Sequence, residues 1–224
     1  VQVGLVPQET GAPVAGSTLP QVGLQARALP DGAPVGPVMA GDGRSVGRYT
    51  ATEIDGRPVV VSTEGDTGIQ VHDLATGART AVPVPPQPGG LTAITTTERD
   101  GTPVVVTGGA DNAVRIWDLR TGEQVGQPML GHTGSVVLLD TFRLGTRTVV
   151  MSAAMSASAA ERGTEIRFWD LGTGEPIGGP LTAHPLAESF AATADGAPPL
   201  LVAAPRGEPI TVWDAQKLIE GGAS

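Results

Sequence analysis

The chain has 224 residues, of which 40% are hydrophobic, so it is long enough to bury a hydrophobic core. It carries 14 basic and 23 acidic residues, and the net charge of −9 disfavours nucleic acid or an anionic membrane as the principal partner. The absence of cysteine excludes disulfides, thiolate chemistry and cysteine-based zinc sites. No apolar run reaches the roughly 18 residues of a transmembrane helix, so we expect no membrane insertion.

The N-terminal residues are predicted to form a partial unit of three strands. The strand candidates are Val1–Val6, Gly23–Leu29 and Val35–Met39, and the Gly-, Pro- and Ser-bearing stretch Glu9–Pro20 between the first two is predicted to be a loop. We expect the innermost strand of this unit to be missing near Val1. We therefore expect an exposed sheet edge that favours aggregation of the isolated piece.

The rest of the chain repeats one motif, in which alternating apolar residues lead into an aspartate and a turn. Four copies are present: Ile69–Gly77, Val114–Gly122, Ile166–Gly174 and Ile210–Lys217. Their aspartates, at positions 73, 118, 170 and 214, are separated by 45, 52 and 44 residues. A weaker copy, Leu24–Gly32, has Ala28 at the aspartate position. A fixed period of this length indicates a repeat architecture.

Each period is predicted to contain four short antiparallel strands. In one copy the strand candidates are Leu91–Arg99, Pro103–Thr107, Val114–Leu119 and Glu123–Met129, with turns at Asp100-Gly101 and between the later strands. The last copy offers Phe190–Thr193, Leu200–Ala203 and Ile210–Asp214, which leaves Gln216–Ile219 to pair as its fourth strand. One such unit cannot bury both of its faces, whereas neighbouring units stacked around an axis can.

These repeats resemble the blades of bacterial, actinobacterial-like WD-repeat β-propellers. Trp117-Asp118, Trp169-Asp170 and Trp213-Asp214 stand at the expected strand end, and Gly131-His132 opens one repeat. The resemblance implies one all-β propeller domain of about five blades of four antiparallel strands, four of them fairly complete and one partial. The blades are expected at 1–39, 40–83, 84–129, 130–182 (with an insertion) and 183–224. The chain is either the C-terminal piece of a larger propeller or a compact five-bladed ring.

The resemblance also implies a structural tetrad in each blade: a histidine, a Ser or Thr on the second strand, a turn aspartate and the tryptophan. The candidates are Ser62 and Asp66; Thr107, Asp111 and Trp117; His132, Ser152 and Trp169; and His184 and Trp213. No repeat has all four residues, because Gln87 replaces one histidine, His72 replaces one tryptophan, and Gly163 stands where an aspartate is expected. We expect Thr107, Asp111 and Trp117 to approach one another.

No catalytic, metal or cofactor site is predicted. His132, Ser152 and a turn aspartate could be mistaken for a nucleophilic triad, but their register assigns them to a buried hydrogen-bond network, and no Gly-x-Ser-x-Gly motif is present. The three histidines fall in different repeats, so a shared metal centre is not expected. Gly41–Gly47 is spaced unlike a phosphate-binding loop, and the arginines are scattered.

The seven-residue excess in one repeat predicts a long turn, Ala153–Thr164, on the face that carries the blade-opening loops. This turn is either a neutral insertion or part of a partner-binding surface. The candidate binding loops are Asp42–Arg44, Gln87–Gly89, Thr133–Ser135, Ala157–Arg162, Pro185–Glu188 and Arg206–Glu208. Their charged candidates are Asp42, Arg44, Glu161, Arg162, Glu188, Arg206 and Glu208, with Arg162 and Arg206 as expected hot spots.

The function expected from these features is a non-enzymatic scaffold or sensor module of a longer bacterial multidomain protein. Its partners would be other proteins or other domains of the same chain, and a cytoplasmic location is expected. In the resembled family such repeats often follow a kinase, protease or nucleotide-binding switch. Two alternatives stay open: a propeller hydrolase with a site in the axial channel, and a domain that only spaces others.

Overall fold

The computed structural model describes residues 3–9, 22–28, 33–39, 46–64, 68–155, 163–183, 187–192, 199–205 and 211–221. Within these ranges the chain forms seventeen strands and one short helix, and every strand pair is antiparallel. The predicted all-β class and antiparallel pairing are therefore confirmed. No helix in the described ranges has both the length and the apolar character needed to cross a bilayer.

The chain divides into two compact units, Val1–Pro86 and Gln87–Ser224. This division lies three residues from the predicted boundary between the repeats 40–83 and 84–129. That all repeats belong to one propeller domain stays a prediction, as does the exposed edge expected at the N-terminus.

The N-terminal unit contains two sheets. The strands of the first sheet are β1 (Val3–Glu9), β2 (Val22–Ala28) and β3 (Pro34–Met39), in that order. The strands of the second sheet are β4 (Val46–Ile54), β5 (Arg57–Glu64), β6 (Gly68–Asp73) and β7 (Arg79–Val82), also in that order. The three strands predicted before residue 40 are thus present. Of the predicted loop Glu9–Pro20, only Glu9 is described, and it ends β1.

The C-terminal unit contains three sheets. The third sheet has β8 (Leu91–Arg99), β9 (Thr102–Gly109) and β10 (Val114–Asp118). The fourth has β11 (Val136–Leu144), β12 (Arg147–Met155), β13 (Thr164–Asp170) and β14 (Leu181–Ala183). The fifth has β15 (Ala187–Ala192), β16 (Leu200–Pro205) and β17 (Thr211–Asp214), followed by helix α1 (Ala215–Gly221). In each sheet the strands pair in sequence order.

The sheets of the C-terminal unit pack against one another in chain order. Their first strands, β8, β11 and β15, lie side by side. Buried valines of β9 and β10 and Trp169 of β13 belong to one apolar cluster between the third and fourth sheets. Phe142 and Phe168 of the fourth sheet share a second cluster with Leu201 of the fifth. Burial of both faces of the fourth sheet agrees with the expectation that one sheet cannot form a core alone.

Two turn types recur because the sequence repeats the residues that they require. Asp100 and Gly101 join β8 to β9 with φ of 52° and 75°, a double positive φ that Asp-Gly adopts readily. In the turn after β10, Asp118 Oδ1 accepts hydrogen bonds from the backbone N–H groups of Arg120 and Thr121 at 2.7 and 3.0 Å. Gly122 then turns the chain back with a φ of 73°.

The strand predicted at Gln216–Ile219 is wrong, since these residues lie in α1. Asp214 still accepts a backbone hydrogen bond, from Lys217 N at 3.1 Å, and so caps the helix. The other repeats have Thr-Gly at the third and fourth positions after the aspartate, but here Lys217-Leu218 follows. Without the glycine that reverses the chain, the helix-forming residues continue the first turn as a helix.

The predicted fourth strand Glu123–Met129 is reduced to two isolated bridges, Val114 with Met129 and Trp117 with Gln124. Gly126 has a φ of 76°, and the next residue but one is Pro128, which has no N–H to donate. Both features interrupt a regular ladder. Within the described residues, the first, third and fifth sheets therefore have three strands, and only the second and fourth reach the predicted four.

Candidate functional site

A chain of hydrogen bonds runs through the buried side of the fourth sheet and has Ser152 at its centre. Trp169 Nε1 donates to Ser152 Oγ at 2.7 Å, and Ser152 Oγ lies 2.6 Å from His132 Nε2. The other ring nitrogen of His132, Nδ1, lies 3.0 Å from Glu165 Oε1. Ser152 is 0% exposed, so the structure brings the predicted His132, Ser152 and Trp169 together in the interior.

The imidazole of His132 is neutral at pH 7. Burial lowers its pKa to about 4, and the positive charge of Arg167 acts in the same direction, while Glu165 opposes both. A neutral ring has one N–H, and the carboxylate of Glu165 can only accept. Nδ1–H therefore donates to Glu165, and Nε2 accepts from the hydroxyl of Ser152.

Glu165 is the acidic member of this network, and sequence reasoning missed it. The resemblance pointed to position 163, which is a glycine, whereas Glu165 lies two residues later inside β13. Arg167 Nε donates to Glu165 Oε1 at 2.6 Å, and Thr133 Oγ1 donates to Oε2 at 3.0 Å. Burial would raise the pKa of Glu165, but these hydrogen bonds and charges outweigh it and lower the pKa. The sequence signal that could have identified Glu165 is Arg167, two residues before Trp169, because a partly buried arginine needs an acidic partner nearby.

The third sheet holds the same network with different residues. Thr107 Oγ1 accepts from Trp117 Nε1 at 2.8 Å and from Gln87 Nε2 at 3.1 Å. Arg115 links Gln87 to Asp111, donating at 3.2 Å to Gln87 Oε1 and at 2.7 Å to Asp111 Oδ2. Asp111 was expected to approach Thr107 and Trp117 themselves. Asp111 is instead connected to Thr107 through Arg115 and Gln87, whose amide takes the place of the histidine ring.

The second sheet has a shorter version. Ser62 Oγ lies 3.0 Å from Nε2 of His72, which occupies the tryptophan position. Burial, assisted by the charge of Arg79, lowers the pKa of His72. Asp66 and His184 lie outside the described residues. Trp213 lies in β17, half-buried against the apolar cluster that joins the fourth and fifth sheets.

The Ser152–His132–Glu165 sequence has the order of a hydrolase triad, but its serine cannot act as a nucleophile in this arrangement. Ser152 is fully buried, so a substrate has no access to its hydroxyl, and Oγ already accepts a hydrogen bond from the indole of Trp169. The residues therefore act as a structural network that ties the loop Gly131–Thr133 to β12 and β13. Among the described residues, His, Cys, Asp and Glu side chains form no group of three that could hold a metal.

The predicted partner-binding face is described only in part. Gln87 and Thr133 are described, and both are held by the networks above. The following candidates lie outside the described residues: Asp42, Arg44, Glu161, Arg162, Arg206 and Glu208. Glu188 was predicted in a loop, but it lies in β15, at a register irregularity between Ala187 and Ser189.

The predicted turn Ala153–Thr164 is shorter than expected at both ends. Ala153–Met155 continues β12, and Thr164 begins β13, where it pairs with Met155. Ala153 and Ala154 are small, buried residues that extend the ladder rather than breaking it. Eight residues separate Met155 from Thr164, against four between Gly109 and Val114, and the other three residues of the seven-residue excess lengthen β12 and β13.

No protein-family model matches the chain, and no curated protein matches its sequence. Many solved structures are similar in fold, among them the following two. The computationally designed Ika4 protein has a TM-score of 0.53 and 21% identity, over 78% of this chain and 93% of its own. The dihydro-heme d1 dehydrogenase NirN in complex with DHE has a TM-score of 0.59 and 20% identity, over 89% of this chain and 43% of its own. NirN is a β-propeller protein, so this chain has a propeller-like all-β fold.

Proposed function

We propose that this chain is a WD-repeat β-propeller module that binds other proteins or other domains of its own chain, and that it is not an enzyme. The observation that carries the proposal is that the side chains most similar to a catalytic triad form structural hydrogen bonds instead. His132, Ser152 and Glu165 satisfy one another and Trp169 inside the fold. What they hold in place is a surface loop, and loops on a rigid scaffold are common binding sites.

The finer features of the proposal follow from the repeat pattern. About five blades of WD type are supported by the Trp-Asp and Gly-His motifs in one register. Membership of a longer bacterial scaffold or sensor protein in the cytoplasm is part of the same proposal. The acidic net charge of −9 and the turn-rich surface favour protein partners over nucleic acid.

The alternative function is a propeller hydrolase with a site in the axial channel. The first strands of the stacked sheets would line such a channel, and they carry Glu98 in β8 and Asp140 and Arg143 in β11. NirN is a dehydrogenase by name, but at 20% identity its likeness concerns the fold alone. Turnover of ester, peptide or glycoside substrates by the purified chain would favour this alternative.

A photo-cross-linking experiment tests the binding proposal. A photoreactive amino acid is placed at Thr133, or at Arg147 as the matched control, in the cells that produce the protein. Both residues are exposed, and they lie at opposite ends of the fourth sheet. We expect a discrete cross-linked protein from position 133 and none from position 147. Cross-links from position 147 alone would contradict the choice of surface. Their absence from both positions would contradict the proposed function.

A further inference from the structure

Arg167 differs from its counterpart in the neighbouring sheet in the use of its guanidinium group. Arg115 donates from Nη1 to Gln87 and Asp111 and from Nη2 to Asp111. Arg167 donates to Glu165 through Nε alone. Among the residues that the structure describes, no hydrogen-bond acceptor is recorded for its Nη1 or Nη2 group. Within the part of the chain that the structure describes, four N–H donors of Arg167 therefore have no recorded acceptor.

These donors are held in a fixed orientation. Glu165 binds Nε at 2.6 Å, and Glu165 is in turn fixed by His132 Nδ1 and Thr133 Oγ1, each at 3.0 Å. The guanidinium group lies against the backbone of Gly131, where a Cβ atom would come within 2.9 Å of Nη1. An arginine held in this way loses little conformational freedom when its Nη groups bind a ligand.

An exposed apolar residue precedes Gly131, the residue against whose backbone this guanidinium group lies. Leu130 precedes Gly131 and is 68% exposed, the largest exposed fraction among the large apolar side chains that the structure describes. The side chain of Arg167 is 20% exposed. A planar, forked cation beside an apolar side chain complements a carboxylate that has an apolar side chain next to it.

We infer that the surface formed by Leu130, Gly131 and Arg167 binds a carboxylate group flanked by an apolar side chain, presented by a partner protein. The inference rests on the proposed binding function and names the chemistry of the partner. The Nη groups of Arg167 would hold both carboxylate oxygens, and Leu130 would cover the apolar side chain. The net charge of −9 repels a densely acidic segment, so one carboxylate in an otherwise uncharged or basic segment fits best.

N-acetyl-leucine is a minimal probe of this site, because it carries one carboxylate and one apolar side chain. N-acetyl-leucinamide lacks the carboxylate, and N-acetylglycine lacks the apolar side chain. Each compound is titrated into the full isotope-labelled chain while the Nε and Cζ NMR signals of the arginines are followed. Arg147, an exposed residue that begins β12 at the other end of the fourth sheet, reports non-specific association of carboxylates.

We expect a saturable shift of the Arg167 signals with N-acetyl-leucine. The dissociation constants of the other two compounds should be at least about tenfold higher, as the loss of a bidentate charged contact or of a buried apolar group requires. In Arg167→Gln, N-acetyl-leucine should no longer shift the backbone signals around Gly131. In Leu130→Ala, it should shift them only at higher concentration. The Trp169 indole N–H signal should remain a single sharp signal in both variants, which shows that each variant is folded and that the hydrogen bond to Ser152 is retained.

Equal shifts with N-acetyl-leucinamide, equal shifts of Arg147, or persistence of binding in Arg167→Gln would overturn the inference. If any of these occurs while cross-links still form at position 133, the binding function stands and only the carboxylate site is wrong. If N-acetyl-leucine binds as expected but no partner is cross-linked, the site is correct and the proposed binding of a protein is wrong.

Discussion

Replacing Ser152 by alanine removes one hydroxyl from the middle of the buried network. This hydroxyl accepts a 2.7 Å hydrogen bond from Trp169 Nε1 and lies 2.6 Å from His132 Nε2, at a residue that is 0% exposed. The substitution leaves two buried polar atoms without a partner, and each costs about 1–3 kcal/mol. Because alanine no longer buries a hydroxyl, we expect a net loss of about 2–4 kcal/mol in the free energy of unfolding at pH 7.

Urea unfolding followed by tryptophan fluorescence and circular dichroism measures this loss. The midpoint should fall while the slope of free energy against urea stays unchanged. Ser135→Ala is the matched control, because Ser135 is half-buried and its recorded hydrogen bond is made by its backbone oxygen, which accepts from Met155 N at 3.1 Å. Its free energy of unfolding should change by no more than about 0.5 kcal/mol.

A double-mutant cycle with Trp169→Phe tests the physical reason for the loss. Phenylalanine has no indole N–H, so one of the two unpaired atoms disappears. Ser152→Ala should therefore cost about 1 kcal/mol less in the Trp169→Phe background. The reasoning is refuted if Ser152→Ala costs no more than Ser135→Ala, or if the two substitutions are additive.

Three further predictions concern stability. Lowering the pH from 6.5 to 4 should destabilise the wild type by about 3 kcal/mol through His132, because the unfolded imidazole is protonated over this range, whereas the buried one gains its proton only near pH 4. Urea unfolding of His132→Gln should lack this part of the pH dependence. Gly108→Ala should cost about 1–3 kcal/mol by thermal unfolding, since its Cβ would lie 2.5 Å from Val136 Cγ1, whereas Gly179→Ala, with no atom within 4 Å, should cost under about 1 kcal/mol; equal losses would contradict the close packing of these sheets. Asp111→Ala should cost about 1–3 kcal/mol by urea unfolding, because the half-buried Arg115 loses its carboxylate, and an unchanged midpoint would show that this ion pair is not stabilising.

The strands of the fold could be predicted because turn residues and apolar alternation agree in every repeat. Leu91–Arg99 was predicted to the residue as β8, since Asp100-Gly101 fixes where the hairpin reverses. Helix α1 could not be predicted by register alone. The aspartate that starts the turn in the other repeats also starts the helix, and only the missing glycine at position 218 distinguishes the two outcomes.

The tetrad positions on the strands could be predicted, but the acidic member of the fourth-sheet network could not. Ser152 and Trp169 lie on neighbouring strands whose register follows from the repeat. Glu165 reaches His132 from within β13 because the strand begins earlier than the turn position would suggest. A fixed offset therefore identified the wrong residue, whereas the reach and charge of the side chain determine which acid completes the network.

The affinity of the cross-linked partner for two surface variants tests the account's central claim most directly. Leu130→Ser alters the loop end of the C-terminal unit, and Arg147→Ser makes the same new side chain at the opposite end of the fourth sheet. Dissociation constants of the purified partner are measured by calorimetry at one salt concentration. We predict at least an about tenfold weaker complex for Leu130→Ser and an unchanged one for Arg147→Ser. A loss of affinity for Arg147→Ser with Leu130→Ser unchanged would contradict the claim that the loop end is the binding surface.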